Sequence, residues 1–158
     1  MGKPAITFRT SKRIDPSGAR ELFRRGGFND WFRRDDVAWY LGHALFVASA
    51  WAGKQCVGIA VATGDGRISI HVDLLLVDKA FQGQGIGSKL MKLIMVRVQR
   101  LKPFHFSVNV FERRTERFYA RFGFARNEGT WLLEHAPTAE RLRRKAAAGR
   151  QRGKGEKL

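Results

Sequence analysis

The chain has 158 residues, with 30 lysines and arginines against 14 aspartates and glutamates, and a formal net charge of +16. This length suits one domain with a full hydrophobic core. The sequence contains no run of 18 apolar residues, so it predicts no membrane span, and residues 1–16 lack the apolar region of a signal peptide. Because the chain has a single cysteine, Cys56, an internal disulfide is excluded, and we expect a cytoplasmic protein.

The positive charge divides the chain into two parts. Residues 137–158 hold eight basic and two acidic side chains, and residues 1–136 hold 22 and 12. The sequence therefore predicts a folded domain over 1–136 and a basic tail over 137–158, a frayed helix followed by disorder. The excess charge favours anionic ligands or a polyanionic partner such as RNA. An arginine-rich solvated surface is the alternative interpretation.

Apolar periodicity, interrupted at glycines and prolines, predicts alternating strands and helices. In chain order these are a strand over 5–10, a helix from Asp15-Pro16 to Gly26-Gly27, a helix from Asn29 or Asp30 to Gly42, strands over 44–51, 55–63 and 68–77, a helix over 85–100, a strand over 104–110, a helix over 115–122, and a closing pair over 124–127 and 130–135. Cys56, beside apolar Val57 and Ile59, is expected to be a core thiol.

The most informative stretch links the strand ending at Val77 to the next helix. Gly83, Gly85 and Gly87 leave the backbone bare, so it can approach a ligand closely and adopt positive φ. The helix that follows points unpaired N–H groups and the positive end of its dipole at this turn. These features predict a site for a phosphate or pyrophosphate.

Two common phosphate motifs do not fit this turn. A P-loop requires Gly-Lys-Ser/Thr, whereas the order here is Gly87-Ser88-Lys89. A Rossmann fingerprint requires GxGxxG, whereas the spacing here is GxGxG.

The turn resembles motif A, Q/R-x-x-G-x-G/A, of the GCN5-related N-acetyltransferase (GNAT) family, with Gln82, Gly85 and Gly87 at its three fixed positions. A second match is the run Phe118-Tyr119-Ala120-Arg121-Phe122-Gly123-Phe124, which is similar to the family's F-Y-x-x-x-G-F signature. The order of elements over about 5–135 agrees. The chain departs from the pattern at Glu112 and Thr115, where the family often has asparagine and alanine. The family's asparagine commonly contacts the coenzyme, and no residue of this chain is assigned that contact. Glu112 is interpreted as a solvated charge.

The resemblance implies an α/β (α+β) fold of the GNAT type. Its central sheet is expected to be mixed, mostly antiparallel and splayed between strands 4 and 5, with helices on both faces. Strands 4 and 5 should be parallel neighbours, because the motif A helix is a crossover between them.

The resemblance also implies acetyl-CoA as co-substrate, with no metal. The main-chain N–H of Val77 is the expected donor to the thioester oxygen, where it would stabilise the oxyanion. The residues predicted to bind the donor are Leu76, Val77, Gln82, Gly83, Gln84, Gly85, Ile86, Gly87, Ser88 and Tyr119.

Acetyl transfer to an amine needs an acid and a base. Tyr119 is the predicted acid for the leaving thiolate, because a phenol with a pKa near ~10 is protonated at neutral pH. Strand alternation places Ser69, His71 and Asp73 on one face and Ile68, Ile70, Val72 and Leu74 on the other. Asp73 is the predicted base. His71 acting through water, a water chain alone, Asp35, Asp36 and Glu134 stay open as alternatives.

Three functions compete at this stage. The first is acetyl transfer by direct attack in a ternary complex to a primary amine of a small molecule. The second is transfer to an amine carried by RNA or protein, such as an aminoacyl-tRNA or a ribosomal protein. The third is a non-catalytic module that binds acetyl-CoA or nucleic acid. The oligomeric state stays open, with a homodimer among the options.

Overall fold

The computed structural model describes residues 4–28, 34–110, 112–127 and 144. Its elements in chain order are β1 (Ile6–Arg9), α1 (Pro16–Arg25), α2 (Arg34–His43), β2 (Phe46–Ala52), β3 (Gln55–Gly64), β4 (Ser69–Val77), a single 3-10 turn (Lys79–Phe81), α3 (Ile86–Leu101), β5 (His105–Val108) and α4 (Arg113–Ala120). None of the described helices has the length and apolarity to cross a membrane.

The five described strands form one mixed sheet in the order β1-β2-β3-β4-β5. Neighbours from β1 to β4 are antiparallel, and β4 and β5 are parallel. Helix α3 is the crossover that makes this parallel pair possible. The predicted sheet topology is confirmed.

The sheet opens between β4 and β5. Their pairing runs only from Ser69 with His105 to Val72 with Val108. Strand β4 continues to Val77 without β5 beside it. The expected splay is therefore present, and it leaves one edge of the end of β4 unpaired with β5.

Helices cover both faces of the sheet. On one face, α1 and α2 bury a core that includes Leu22, Phe23 and Leu41. On the other face, α3 packs on a strip of small residues in β2 and β3, and α4 extends that layer. Gly58 lies on this strip, and a Cβ there would come within 3.1 Å of both Ile86 and Leu90. The small residues thus let α3 approach the sheet closely.

Strand β4 carries a bulge at Asp73. Leu74 pairs with Val61 and Val72 pairs with Ala62, so Asp73 stands between them without a partner on β3. The bulge reverses the alternation: Leu74 packs with the α1–α2 core, whereas Val72 packs with the α3 core. Strict alternation had placed Leu74 on the face of Ile70 and Val72, and this prediction is wrong because an extra residue shifts the phase.

Several predicted features fall outside the described residues. The start of the second helix, the strand over 130–135, Glu134 and the tail over 137–158, apart from residue 144, are among them. Residues 124–127 are described and have no strand partner among the described residues.

Candidate active site

A cleft of about 640 Å³ opens between the end of β4, the glycine turn, the start of α3 and α4. This volume lies within the range of small-molecule sites. Eight residues predicted to bind the donor line it: Val77, Gln82, Gly83, Gly85, Ile86, Gly87, Ser88 and Tyr119. The other lining residues are Leu75, Phe81, Arg114, Thr115, Phe118 and Arg121.

Two glycines give the turn its shape. Gly83 and Gly85 have φ of +75° and +78°, a backbone conformation that residues with a Cβ rarely adopt. Gly85 is the N-cap of α3, and no side chain caps this helix end. The first N–H groups of α3 are therefore directed into the cleft, where they can bind an anion.

Asp78 anchors the turn to the domain. Its Oδ1 accepts a hydrogen bond from the Ala80 N–H at 3.0 Å, and its Oδ2 accepts one from Arg25 Nε at 2.6 Å. Arg25 also donates through Nη2 to the Cys56 carbonyl at 2.9 Å. Asp78 is buried and Arg25 is partly exposed, so this ion pair ties α1, β3 and the turn together at a partly buried site.

The open edge of β4 presents alternate backbone groups to the cleft. The Asp78 N–H donates to the Val57 carbonyl on β3, so Val77 and Leu75 turn their N–H groups the opposite way. The Val77 carbonyl accepts a hydrogen bond from Gln82 Nε2 at 3.0 Å. Val77 therefore offers its N–H to the cleft.

Two predicted donor-binding residues lie elsewhere. The Leu76 side chain packs on the α1–α2 side, where a Cβ on Gly26 would come within 2.8 Å of it. Gln84 does not line the cleft, and its Nε2 lies 3.5 Å from the Ala80 carbonyl. Leu75 lies in the wall instead of Leu76, because the bulge at Asp73 shifts the strand by one residue.

Tyr119 lies on α4 in the wall of the cleft. Its half-buried ring packs edge-on against Phe118, with centroids 5.1 Å apart. Burial raises the pKa of its hydroxyl. No described residue forms a hydrogen bond with that hydroxyl, which leaves its proton available to a ligand.

Two arginines, Arg114 on α4 and Arg121 directly after its last residue, also line the cleft, and the sequence analysis missed them. The Arg121 guanidinium lies over the Phe118 ring at 5.1 Å, and Arg114 forms an ion pair with Glu112. Arg114 and Arg121 are seven residues apart, which places them on one face of a helix. That spacing was the available signal. Glu112 is exposed, as expected for a solvated charge.

Asp73 has a partner that the sequence did not reveal. The Tyr40 hydroxyl on α2 donates to Asp73 Oδ2 at 2.6 Å. Burial, and then this hydrogen bond and the charge of Asp73, raise the pKa of Tyr40 far above its usual value. No described residue bonds the other carboxylate oxygen, Oδ1, so it can accept a proton from a ligand.

A second polar pair spans β4 and β5. His71 Nδ1 lies 2.9 Å from Ser107 Oγ, and the two residues are register partners in the parallel ladder. Asp35 and Asp36, which the sequence left open as alternative bases, lie in the first turn of α2. Cys56 is buried, and burial raises the pKa of its thiol to about 11, so it is the expected core thiol.

The described residues contain no group of three or more histidine, cysteine, aspartate or glutamate side chains that could hold a metal.

A family model described as "Acetyltransferase (GNAT) domain" matches residues 18–132, well over half of the chain. The chain belongs to the GNAT acetyltransferase family. The resemblance drawn from the glycine turn and the Phe118–Phe124 run is thereby confirmed.

Solved structures show the same GNAT fold. A GNAT family acetyltransferase of Streptococcus pneumoniae is 23% identical with a TM-score of 0.69, covering 83% of this chain and 99% of that one. The aminoglycoside N-acetyltransferase AAC(6')-Iy in complex with CoA is 13% identical with a TM-score of 0.64, covering 85% and 96%. A ribosomal-protein-alanine N-acetyltransferase of Brucella melitensis is 14% identical with a TM-score of 0.63, covering 82% and 99%. No protein of curated description matches the sequence.

The GNAT domain thus has an acid and a base candidate on opposite sides of the opening in its sheet. Tyr119 packs with the α3–α4 layer, and Asp73 bonds to Tyr40 on the α2 side. A donor lying in the cleft would meet an acceptor where β4 and β5 diverge.

Proposed function

We propose that this GNAT domain transfers the acetyl group of acetyl-CoA to a primary amine by direct attack in a ternary complex. The observation that carries the proposal is the cleft itself. It joins the start of α3, which no side chain caps, to the open edge of β4 and to the Tyr119 hydroxyl, which bonds to no described residue.

The donor would lie along the cleft. The N–H groups at the start of α3 suit a pyrophosphate, and Arg114 and Arg121 add positive charge to the opposite wall. The Val77 N–H would donate to the thioester oxygen and stabilise the oxyanion formed on attack. A relative of the same fold is solved with CoA, which supports this donor.

The proton transfers balance with two side chains. Asp73 Oδ1 takes a proton from the acceptor ammonium, and the neutral amine attacks the thioester carbon. The tetrahedral intermediate then collapses as the C–S bond breaks. Tyr119 gives its proton to the departing thiolate, and its raised pKa keeps that proton in place at neutral pH until then. The nitrogen, which still carries an extra proton after the attack, loses it through water to the Tyr119 phenolate, and Asp73 returns its own proton to solvent. Tyr40 holds Asp73 at the bulge.

The acceptor is proposed to be a small-molecule amine, and the protein to be cytoplasmic. Relatives of the fold include an enzyme named for aminoglycosides and one named for a ribosomal protein alanine. The charge of +16 favours the second candidate, an amine carried by RNA or protein.

Acetyl-CoA turnover against a panel of amines tests the proposal. We expect release of free CoA thiol together with an acetylated product seen by mass spectrometry. Adding deacylated and aminoacylated bulk tRNA, or ribosomal protein, tests the second candidate. Acetyl-CoA binding without turnover of any amine would support a non-catalytic module instead.

A further inference from the structure

Helix α3 carries a concentration of positive charge that lowers its own stability. It contains Lys89, Lys92, Arg97 and Arg100 and no acidic residue. Lys89 with Lys92, and Arg97 with Arg100, are like-charge pairs at i,i+3, which destabilise a helix. Lys89 also lies about one turn from the N-terminus, where the helix dipole disfavours a cation.

Three of these cations form a stripe on the outer side of α3. Lys89, Lys92 and Arg100 are exposed, and with Val96 they recur at intervals of three, four and four residues. That spacing places them on one face. We call these three cations the α3 stripe. Arg97 lies to one side, with its guanidinium 6.0 Å from the Phe46 ring.

The stripe ends at an exposed apolar patch, which we call the Phe104 patch and define as Ile68, Leu101 and Phe104. Their exposed fractions are 60%, 43% and 89%. The His105 N–H donates to the Ile68 carbonyl at 2.8 Å, so the residues just before β4 and those just before β5 lie side by side. Leu101 is the last residue of α3, and a Cβ on Gly66 would come within 3.4 Å of its side chain. The patch therefore lies where the C-terminal end of α3 meets the segments that lead into β4 and β5.

Further cations flank the patch. Arg67 and Lys102 are exposed, and the Arg67 carbonyl accepts the Phe104 N–H at 3.0 Å. The nearest acid along the chain is Asp65, whose Oδ1 accepts the N–H groups of the three residues from Arg67 to Ser69. Its charge is thus engaged within its own turn.

We propose that the α3 stripe and the Phe104 patch bind a single-stranded nucleic acid. Phosphates would lie along Lys89, Lys92 and Arg100, and a base would stack on the Phe104 ring. Non-specific single-strand sites combine a cationic track with exposed aromatic side chains in this way. The patch lies at the far end of α3 from the glycine turn, about 24 Å away at 1.5 Å per residue.

Other occupants fit the surface less well. In a two-fold dimer through this face, identical basic stripes of two +16 chains would oppose each other. A helix lying in a membrane interface presents an apolar face along its length. Helix α3 instead buries its apolar face on the sheet. Among its described residues, Val96 is the one large apolar side chain exposed before Leu101, which belongs to the Phe104 patch.

Fluorescence anisotropy with a labelled oligouridylate of about 15 nucleotides tests stacking in the full chain. Phe104→Ala should weaken binding roughly tenfold, the effect expected for one stacked base. Trp39→Ala is the matched control, because Trp39 is also an exposed aromatic, on α2, and should leave affinity unchanged. Both side chains are exposed enough that the variants should remain folded, which circular dichroism checks.

The salt dependence tests the stripe. The double variant Lys92→Gln/Arg100→Gln should reduce the slope of log affinity against log salt by about 1.4, since each lost single-strand phosphate contact contributes about 0.7. The double variant Arg20→Gln/Lys54→Gln removes the same charge from exposed positions elsewhere and should leave the slope unchanged.

Equal losses in test and control variants would overturn the proposal, because binding would then depend on net charge alone. Absence of oligouridylate binding would also overturn it. In that case, Phe104-dependent binding to vesicles containing phosphatidylserine would assign the patch to a membrane. Phe104-dependent dimerisation in sedimentation would assign it to a second copy. The readouts do not use acetyl transfer, so the inference stands or fails independently of the proposed function.

Discussion

At the scale of single residues, the proposed reaction depends on a proton donor, Tyr119, and a proton acceptor, Asp73. Tyr119 keeps its proton because burial disfavours the phenolate, and Asp73 is fixed at a strand bulge by the Tyr40 hydroxyl. Each role can be removed with a nearly isosteric side chain.

Tyr119→Phe removes the proton and keeps the ring. We expect unchanged stability and acetyl-CoA affinity, because the hydroxyl bonds to no described residue. The chemical step should slow by about 10²–10⁴-fold, with the low end expected because water reaches the open cleft. Single-turnover kinetics measures this. Wild-type turnover under conditions where chemistry limits the rate would make Tyr119 a core residue only. In the wild-type enzyme, activity should fall at high pH as Tyr119 loses its proton. Because burial raises the pKa of Tyr119, this fall in the pH–rate profile should lie above the usual tyrosine pKa of about 10.

Asp73→Asn removes the proposed base and leaves an amide of the same shape. Turnover of an alkyl amine should fall at neutral pH, and the deficit should shrink as pH rises, because more acceptor is already neutral. The measurement is kcat/KM as a function of pH for the wild type and the variant. A deficit that is constant with pH would assign ammonium deprotonation to another group, such as His71 through water.

At the scale of elements, the glycine turn depends on an ion pair that spans the sheet. Arg25 on α1 reaches Asp78, which follows β4 and also bonds the 3-10 turn. This contact links the α1–α2 layer to the site on the opposite layer.

Asp78→Asn should therefore lower both the free energy of unfolding and the affinity for acetyl-CoA. We expect a stability loss of about 1–3 kcal/mol, because Arg25 loses its anion in a partly buried site. Glu21→Gln is the matched control: it removes an exposed carboxylate that lies 3.3 Å from the same guanidinium and also pairs with Arg24, and it should cost much less because solvent screens these pairs. Denaturant titration of both variants checks this, and equal losses would show that the Asp78 pair is no stronger than a surface pair.

Elements were easier to predict than the contacts between them. The apolar periods and the glycine turn indicated each described strand and helix, because those signals are local. The bulge at Asp73 is set by pairing with β3, so alternation alone misplaced Leu74, and Leu75 rather than the predicted Leu76 lines the cleft. The Tyr40–Asp73 contact joins residues 33 positions apart, and nothing in the local sequence indicates it.

At the scale of the whole molecule, the chain is proposed to divide at residue 137. The family match ends at residue 132, before the basic tail. Deleting residues 137–158 should change the thermal midpoint little, because the segment has few apolar groups to bury. If a polyanion binds, the deletion should also flatten its salt dependence, since eight cations are removed. A large loss of thermal stability would show that the tail packs on the domain.

The central claim is that the cleft at the glycine turn binds acetyl-CoA, and calorimetric titration of Gly87→Leu tests it most directly. Gly85→Val is less suitable, because the positive φ of Gly85 would strain any side chain. A Cβ at Gly87 meets Val77 and Phe118, which both line the cleft, at ordinary distances of 3.7 and 3.8 Å, so a leucine side chain starts there without a clash and extends into the cleft.

Gly42→Leu is the control, because it places the same side chain at an open position on α2. Leucine has a higher helix propensity than glycine, so neither substitution should destabilise its helix. We predict that Gly87→Leu weakens acetyl-CoA binding by roughly tenfold or more, about 1.4 kcal/mol, while Gly42→Leu binds like the wild type. Wild-type affinity in a folded Gly87→Leu protein would contradict the account.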